Sequence, residues 1–319
     1  MGCVTIPLII DTDPGVDDAL ALAVAVASPE VDLLGVTTVF GNVALDKTSR
    51  NALRLMTLLG RDDVPVALGA ERPLVHPQPH VSRAHGTDGL SGFADTLPEP
   101  TAEPDPRDAV TLLKDLLEAS EQPVTIVPIG PLTNIALLLA AHPRLKDRIA
   151  RLVVMGGGIR GGNITAAAEF NLWCDPEAAR RVLVEERVPT TLVTMDLTKR
   201  CAVSAEWLQQ VGESSEIGAR LVGLTPDYLA TYRRFLGWDG MAVHDAVAVA
   251  AAVNPGLLTT QRFPVEVECA FGPARGALLV DERLETPKED GIDIAADADL
   301  NALREFLFER LTAFGVKNA

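Results

Sequence analysis

Short apolar runs alternate with longer segments of helical periodicity along most of the chain. The apolar runs predict buried parallel strands, at Ile6–Ile10, Leu33–Val39, Val124–Val127, Leu152–Met155 and Thr191–Met195. The segments between them predict helices, at Val16–Ala27, Asp46–Leu59, Arg107–Ala119, Leu132–Ala141 and Pro176–Glu186. A repeated strand–helix–strand order predicts a parallel sheet with right-handed crossovers.

The later part of the chain is more helical. Further helices are predicted at Ala205–Gln210, Pro226–Phe235, Val243–Ala252 and Ala298–Phe314. Val265–Ala270 and Gly276–Val280 predict a hairpin at an edge of the sheet, and the Pro- and Gly-rich segment Arg72–Pro106 predicts a long loop. With no repeat and no linker, the predicted fold class is α/β. We expect one domain over residues 1–319, with a mostly parallel, Rossmann-like open sheet, flanking helices and a small late hairpin.

Composition narrows the class of partner. Apolar residues make up 47% and charged residues 23%, which is typical of a globular protein. The net charge of −16 repels polyanions, so nucleic acid and acidic membranes are poor partners, whereas cations are favoured. The apolar run Ala19–Ala27 is too short to span a bilayer. Cys3, Cys174, Cys201 and Cys269 lack metal-ligand spacing, and we expect reduced thiols and a cytoplasmic protein.

Four aspartates follow the first predicted strand within eight residues: Asp11, Asp13, Asp17 and Asp18. Ligand sites of open α/β sheets lie at the carboxyl ends of strands. Acidic residues also favour the start of a helix through its dipole, but that explains only Asp17 and Asp18. Four close carboxylates repel unless protons or a cation compensate. Oxygen ligands without a nearby His or Cys favour calcium or magnesium over zinc.

Polar or glycine-rich segments follow the other predicted strands, at Phe40–Asn42, Gly130–Asn134 and Gly156–Gly158. Each alone is typical of a turn, but several such ends facing one crevice indicate a ligand. Two later loop segments, Gly161–Asn163 and Glu169–Asn171, carry amide and carboxylate groups that suit the hydroxyls of a sugar.

A second group of candidate residues lies outside the strand ends. His244 and Asp245 open a predicted helix, where a capping role is the simpler interpretation, and His85 lies in the Pro-rich loop, where exposure is the alternative. Tyr228 and Tyr232, the two tyrosines of the chain, are four residues apart on a predicted helix. That spacing usually means core packing, although their hydroxyls suit a ligand.

Together and in this order, these segments resemble the nucleoside hydrolase family, in particular its inosine–uridine preferring group. Asp11–Asp18 looks like the family signature, and Gly41–Asn42, Gly130–Asn134, Glu169–Asn171 and His244–Asp245 match later motifs. The resemblance covers residues 5–310. It implies hydrolysis of the N-glycosidic bond of ribonucleosides to free base and ribose, with one calcium ion per chain. It also implies a homodimer or homotetramer.

The resemblance further implies a ligand set and catalytic roles. Calcium would be held by the carboxylates of Asp13, Asp18 and Asp245 and by the backbone carbonyl of Ile129. Asp13 would also be the general base that deprotonates the attacking water, with Asp11 supporting the cluster from behind. His244 is the candidate general acid, because an unperturbed histidine pKa of about 6.5 permits proton donation near neutrality.

The substrate-binding residues implied by the resemblance are Asp17, Asn42, His85, Met155, Asn163, Glu169, Phe170, Asn171, Tyr228, Tyr232 and His244. Asp17 and Asn42 would bind ribose hydroxyls, and the 5′- and 3′-side hydroxyls would contact Asn163, Glu169 and Asn171. His85 would contact the base or the 5′ side. The two tyrosines match those of the inosine–uridine group and favour broad base specificity.

Two other classes of protein compete with this interpretation. A phosphatase with an aspartyl nucleophile also places Asp-x-Asp after its first strand, here Asp11–Asp13, but it needs a downstream lysine and a further acidic pair. Lys146 and Lys199 lack that context, and the role of His244–Asp245 would go unexplained. A non-catalytic ribose- or nucleoside-binding protein would keep the metal and the amides but would show no turnover.

Overall fold

The computed structural model describes residues 5–77, 84–283, 285 and 287–315. Cys3 and residues 78–83 of the predicted long loop lie outside this range. The three described cysteines are free thiols, of which Cys174 and Cys201 are buried.

The described residues form twelve β-strands, and eight of them make one sheet. The strands are β1 (Ile6–Thr12), β2 (Val31–Thr38), β3 (Val66–Leu68), β4 (Val124–Pro128), β5 (Ile149–Met155), β6 (Thr190–Val193), β7 (Val203–Ser204), β8 (Gly240–Met241), β9 (Leu258–Phe263), β10 (Val265–Val267), β11 (Leu278–Val280) and β12 (Ile292–Ala298). The sheet order is β3-β2-β1-β4-β5-β6-β12-β9. Every neighbouring pair is parallel except β12 with β9, so the predicted mostly parallel open sheet is confirmed.

Twelve α-helices lie within the same described ranges. They are α1 (Val16–Val26), α2 (Leu45–Leu58), α3 (Ala109–Ala119), α4 (Thr133–Ala141), α5 (Phe170–Cys174), α6 (Pro176–Arg180), α7 (Met195–Thr198), α8 (Ala205–Ser214), α9 (Glu216–Val222), α10 (Pro226–Leu236), α11 (His244–Val253) and α12 (Leu300–Thr312). In the part of the chain that is described, none of these helices combines the length and apolarity needed to cross a bilayer.

The structure corrects two predictions in the later part of the chain and adds two strands that were not predicted. The predicted hairpin forms, as β10 and β11, but it is a separate two-stranded ribbon rather than an edge of the main sheet. The pattern also missed β9 and β12, whose exposed or acidic positions interrupt the apolar run: β12 reads Ile-Asp-Ile-Ala-Ala-Asp-Ala. Met195, predicted to end a strand, instead begins α7.

The helices α1 and α11 are buried on every side, so their packing in the core fixes the place at which each helix begins. The first ten residues of α1, Val16–Ala25, are buried, and so is the whole of α11. Both belong to the larger hydrophobic cluster, and they contact each other. A helix that is hydrophobic all round is held by its surroundings rather than by solvent. The polar residues at the start of α1 and α11 therefore have fixed positions.

Candidate active site

The carboxyl ends of the central strands lie at one edge of the sheet. Asp11 at the end of β1 is in register with Thr37 on β2 and with Pro128 on β4. β2 and β4 lie on opposite sides of β1, so the segments that follow these three strands meet beside the carboxyl end of β1. This is the position at which open α/β sheets bind ligands.

The carboxylate of Asp13 lies between two glycines. The Asn42 backbone N–H donates to Asp13 Oδ2 at 2.6 Å. A Cβ atom at Gly41 would come within 2.0 Å of that oxygen, and one at Gly130 within 2.6 Å of Oδ1, so both positions need glycine. Asp13 Oδ1 is buried and has no hydrogen-bond donor among the described residues. One oxygen of Asp13 is therefore fixed, and the other is available to a ligand.

Asp18 is held by three donors. The Thr12 hydroxyl donates to its Oδ1 at 2.6 Å and the Gly15 backbone N–H to its Oδ2 at 2.8 Å. The Asn42 side-chain amide also donates to Oδ2, at 3.3 Å. Asn42 thus connects Asp13 to Asp18 through its backbone and its side chain.

Asp17, Asp18 and Asp245 form a cluster in which one oxygen from each lies within 4.8 Å of the other two. The starts of α1 and α11 bring them together, and the backbone amides of His244 and Asp245 stabilise the charged form of Asp17. This cluster differs from the predicted ligand set, because it contains Asp17 and does not contain Asp13.

Burial is the main influence on the protonation of these groups. It raises the pKa of Asp17 to about 8, with the neighbouring Asp18 charge adding to the effect. Burial and the other carboxylates raise the pKa of Asp13 and of Asp245 well above the usual range. Within the described ranges, no lysine or arginine forms an ion pair with any of them, and His85 Nδ1 lies 3.9 Å from Asp17 Oδ1. Like charges this close repel, so a positive charge from elsewhere would favour the ionisation of all of them together.

The donor atoms fit a hard divalent cation. They are all oxygens, they are buried, and Asp13 Oδ1 lacks a partner. The Ile129 carbonyl, the fourth predicted ligand, accepts the Asn171 side-chain amide at 2.9 Å. A carbonyl oxygen has two lone pairs, so one is left for a cation. This chemistry suits calcium or magnesium.

Asp11 lies behind this cluster and does not line the cavity. Its Oδ1 accepts from the Thr37 hydroxyl at 2.5 Å and from the Asn134 amide at 2.7 Å. Asn134 also donates to the Thr38 carbonyl at 3.0 Å and accepts from the Ala70 N–H at 2.9 Å. Burial raises the pKa of Asp11 to about 7. Asn134, which the sequence placed only in a strand-end motif, therefore links Asp11 to β2 and to the segment after β3.

A cavity of about 510 Å³ opens above the carboxylates. The predicted site residues that line it are Asp17, Asn42, His85, Ile129, Met155, Asn163, Glu169, Phe170, Asn171, Tyr228, Tyr232, His244 and Asp245. The other three, Asp11, Asp13 and Asp18, do not line it and are almost fully buried. The lining residues that were not predicted as site residues are Ala84, Gly162, Ile164, Lys199, Thr231, Phe235 and Leu236.

One wall of the cavity carries the predicted ribose-binding residues. Several of their side-chain oxygens also accept hydrogen bonds from backbone N–H groups nearby. Glu169 accepts from the backbone N–H of Asn171 at 2.9 Å and of Gly157 at 2.8 Å, so it caps α5. Burial raises the pKa of Glu169. Asn163 Oδ1 accepts from the Phe170 N–H at 2.9 Å. Turn and cap chemistry therefore accounts for part of this polarity, and the side chains still face the cavity.

The opposite wall is aromatic. The ring of His85 stacks on Tyr228 at 4.7 Å between centroids, and its Nδ1 accepts from the Val16 N–H at 3.1 Å. Tyr228 meets Tyr232 edge-on at 5.0 Å, and the Tyr232 hydroxyl lies 3.1 Å from His244 Nε2. Burial lowers the pKa of His85 to about 3 and of His244 to about 4.

The simpler interpretations of these histidines do not hold. His85 is only 7% exposed, so it is not a surface loop residue. Val243, not His244 or Asp245, is the N-cap residue of α11. The first backbone amides of that helix, those of His244 and Asp245, donate to the Asp17 carboxylate instead. Both histidines therefore lie in the cavity wall for a reason other than exposure or capping.

An apolar rim surrounds the mouth of the cavity. Phe235 is 71% exposed and Leu236 48% exposed at the end of α10, and Ile164 is 40% exposed in the loop after β5. A signal for this rim was present in the sequence, since two large apolar residues directly follow Arg233 and Arg234 on an otherwise amphipathic helix. Lys199 carried no comparable signal.

Known proteins resemble this chain over almost its full length. A sequence model described as inosine-uridine preferring nucleoside hydrolase matches residues 8–305. A pyrimidine-specific ribonucleoside hydrolase RihA from Citrobacter koseri is 39% identical over 311 residues, which cover 97% of this chain and 99% of the relative. The protein of the same name from Photobacterium profundum is 39% identical over 310 residues, covering 97% and 99%.

Solved structures that resemble the fold of this chain are also nucleoside hydrolases. A plant nucleoside hydrolase superposes with a TM-score of 0.90 at 31% identity, covering 97% of this chain and 99% of that one. A purine-preferring ribonucleoside hydrolase from Gardnerella vaginalis gives the same TM-score, identity and coverage. Since the match extends over nearly the whole sequence and the whole fold, the chain belongs to the inosine-uridine preferring nucleoside hydrolase family and is a ribonucleoside hydrolase.

Proposed function

We propose that the chain hydrolyses the N-glycosidic bond of ribonucleosides in a calcium-dependent reaction, releasing free base and ribose. The observation that carries this proposal is the buried group of carboxylates, without an ion-pairing lysine or arginine among the described residues, beneath a cavity with one polar and one aromatic wall. Family membership supports the reaction class. Membership of this family also excludes the alternative of a phosphatase with an aspartyl nucleophile. The expected homodimer or homotetramer remains part of the proposal.

The proposed calcium ligands are Asp13, Asp18, Asp245 and the Ile129 carbonyl. Asp18 and Asp245 are supported by the closeness of their oxygens, and Asp13 by its buried Oδ1 without a partner. Asp17, which is equally close, is proposed to bind a ribose hydroxyl, together with Asn42. When bound, calcium would supply the positive charge that allows these carboxylates to ionise together and would make a neighbouring water easier to deprotonate.

Asp13 is the proposed general base. Its Oδ2 accepts one hydrogen bond, from the Asn42 N–H, and its Oδ1 accepts none among the described residues, so the carboxylate keeps lone pairs both for the cation and for a proton of the attacking water. A carboxylate whose pKa is raised by burial is a stronger base than a free one once it is ionised. The two glycines that enclose it restrict the carboxylate to one orientation.

Positive charge develops on the ribose ring as the bond to the base breaks. Glu169 and Asn171 place a carboxylate and an amide oxygen on the wall proposed to bind ribose, with Asn163 beside them. Oxygens that are fixed by the backbone before the reaction stabilise such a charge without reorganisation.

His244 is the proposed proton donor to the departing base, with Tyr232 in contact with its Nε2. Burial keeps its ring neutral at pH 7, whereas ionised Asp17 and Asp245 favour the charged ring. The donor role of His244 therefore depends on the ionisation of these carboxylates.

We propose that both purine and pyrimidine ribosides are accepted. The relatives include proteins named pyrimidine-specific and one named purine-preferring. The Tyr228 and His85 rings offer flat faces to either kind of base.

Ribose release from inosine, adenosine, guanosine, uridine and cytidine tests the proposal, with calcium-loaded and with metal-stripped protein. We expect hydrolysis that is lost on stripping and restored by calcium. Activity that survives stripping would contradict the calcium dependence. Binding of ribosides with calcium present but no release from any of them would favour the non-catalytic binding protein instead.

A further inference from the structure

The imidazole of His244 is contacted at both ring nitrogens. Nε2 faces the Tyr232 hydroxyl at 3.1 Å, and Nδ1 is hydrogen-bonded to Thr198 Oγ1. Tyr232 lines the cavity and Thr198 does not, so Thr198 holds the ring from behind. Thr198 is fully buried and His244 is 8% exposed, which leaves little room for water to take the place of the hydroxyl.

The position of Thr198 is set by the backbone around it. It ends α7, the short helix that follows β6, and its N–H donates to the Thr194 carbonyl at 3.2 Å. The Met195 N–H at the start of α7 donates to the Gly157 carbonyl at 3.0 Å, just beyond the end of β5. The hydroxyl is therefore attached to two central strands rather than to a loop.

We propose that Thr198 is a positioning residue that orients His244 for leaving-group protonation; this rests on the proton-donor role given to His244 above. A hydroxyl can donate to a bare ring nitrogen and can accept from a ring N–H. The same contact therefore supports the ring before and after it transfers a proton. A carboxylate here could only accept. The bond to Nδ1 keeps Nε2 directed at Tyr232 and the cavity.

Thr194 provides a matched control for Thr198. It lies four residues earlier, is equally buried, and its Oγ1 has no hydrogen-bond partner within the part of the chain that is described. Thr194→Val and Thr198→Val thus make the same chemical change in the same short segment. Only the second removes a contact with His244.

The test compares two kinds of leaving group. Uridine and inosine need a proton on the departing base, whereas 4-nitrophenyl β-D-ribofuranoside releases a phenolate that needs none. For Thr198→Val we expect kcat on the nucleosides to fall roughly 10- to 100-fold, with the rate on the aryl riboside within about 2-fold of the parent. Thr198→Ser should restore the nucleoside rate, and Thr194→Val should change neither.

His244→Gln separates the failure of this inference from the failure of its basis. If His244→Gln loses the nucleoside rate selectively while Thr198→Val keeps it, Thr198 does not position the donor. If His244→Gln keeps the nucleoside rate, the donor role itself is wrong and the inference falls with it. An equal loss on both substrates in Thr198→Val would mean general damage and would also overturn the proposal. Should Thr198→Val fail to fold, Thr198→Ala against Thr198→Ser gives the same comparison.

Discussion

The floor, meaning the buried carboxylates Asp13, Asp17, Asp18 and Asp245 at and beneath the base of the cavity, and the aromatic wall of the cavity are held in place by different interactions. On the floor, Asp13 and Asp18 accept hydrogen bonds from the Thr12 hydroxyl at the end of β1 and from Gly15 and Asn42 in the segments that follow β1 and β2. On the wall, His85, Tyr228 and Tyr232 are held mainly by ring contacts and single hydrogen bonds between distant segments. The wall also continues into an exposed apolar rim.

This difference assigns separate tasks to the two regions. Charges fixed by strand ends are oriented before a substrate arrives, which is what stabilisation of a developing charge requires. Stacked rings and a partly exposed rim recognise flat groups without demanding one pattern of hydrogen bonds. We therefore expect changes in the floor to affect every substrate and changes in the wall to affect substrates unequally.

The largest effect is expected for Asp13→Asn. Loss of the proposed general base should lower kcat by roughly 1000-fold on all nucleosides and equally on the aryl riboside, because the attacking water must be deprotonated whichever group departs. The measurement is ribose release at a calcium concentration shown by titration of the variant to saturate it, with thermal unfolding as the control for folding. A variant that retains full activity, or that loses it on some bases only, would remove the distinction between floor and wall.

Asp245→Asn should weaken calcium binding by at least about 10-fold, because it removes one of the three carboxylates, with Asp13 and Asp18, that are proposed to hold the cation. Calorimetric titration of metal-stripped protein with calcium measures this directly. Asp239→Asn is the matched control, since Asp239 lies six residues earlier, is exposed and pairs with Arg233. Equal affinities for the two variants would show that Asp245 is not a ligand.

Tyr228→Ala should change kcat/KM unevenly, by about 10-fold at most, since an aromatic pair contributes roughly 0.5–1.5 kcal/mol beyond its buried area. The five nucleosides should change rank order while calcium affinity stays the same. Tyr228→Phe keeps the ring that stacks on His85 and should resemble the parent. A uniform loss over all five bases would place Tyr228 with the floor instead.

The smallest effect concerns pH and stability without metal. Burial raises the pKa of Asp11 to about 7 and that of Asp17 to about 8. Between about pH 4 and these values, the folded protein keeps protons on the two carboxyl groups that the unfolded chain has already lost. The contribution of these two groups to the free energy of unfolding is complete below about pH 4 and is lost as the pH rises through 7 and 8. His85 and His244, with pKa values lowered by burial, have the opposite slope but are neutral in both states above about pH 7.

Between pH 6.5 and pH 8.5 the carboxylates should therefore decide the trend. We expect Tm of the stripped protein to fall by roughly 5 °C over this window, and the fall to shrink when calcium is added. Differential scanning calorimetry at matched ionic strength measures it. A Tm that rises over the window would mean that the floor carboxylates are ionised without the metal.

The central strands were predictable because their residues are almost all apolar and carry no charge before the carboxyl end. Ile6–Ile10 and Val124–Val127 lie within β1 and β4, and both faces of these strands are buried from Leu8 onward in β1 and along all of β4. β12 was not predictable in this way, because Asp293 and Asp297 alternate with its buried residues at a mixed edge of the sheet. The direction of β9, antiparallel to β12, is likewise a matter of packing, not of local pattern.

The sequence by itself determined the fold class, the edge of the sheet that carries the site and the kind of chemistry there. Parallel strands bring their carboxyl ends to one edge, so the positions of Asp11, Asp13 and Asn42 after apolar runs were sufficient. Only the tertiary structure decided which oxygens share a cluster, and it placed Asp17 with Asp18 and Asp245. It also placed Thr198 behind His244, 46 residues away. Both depend on where helices begin in the packed core, and no local spacing encodes the distance between two helices.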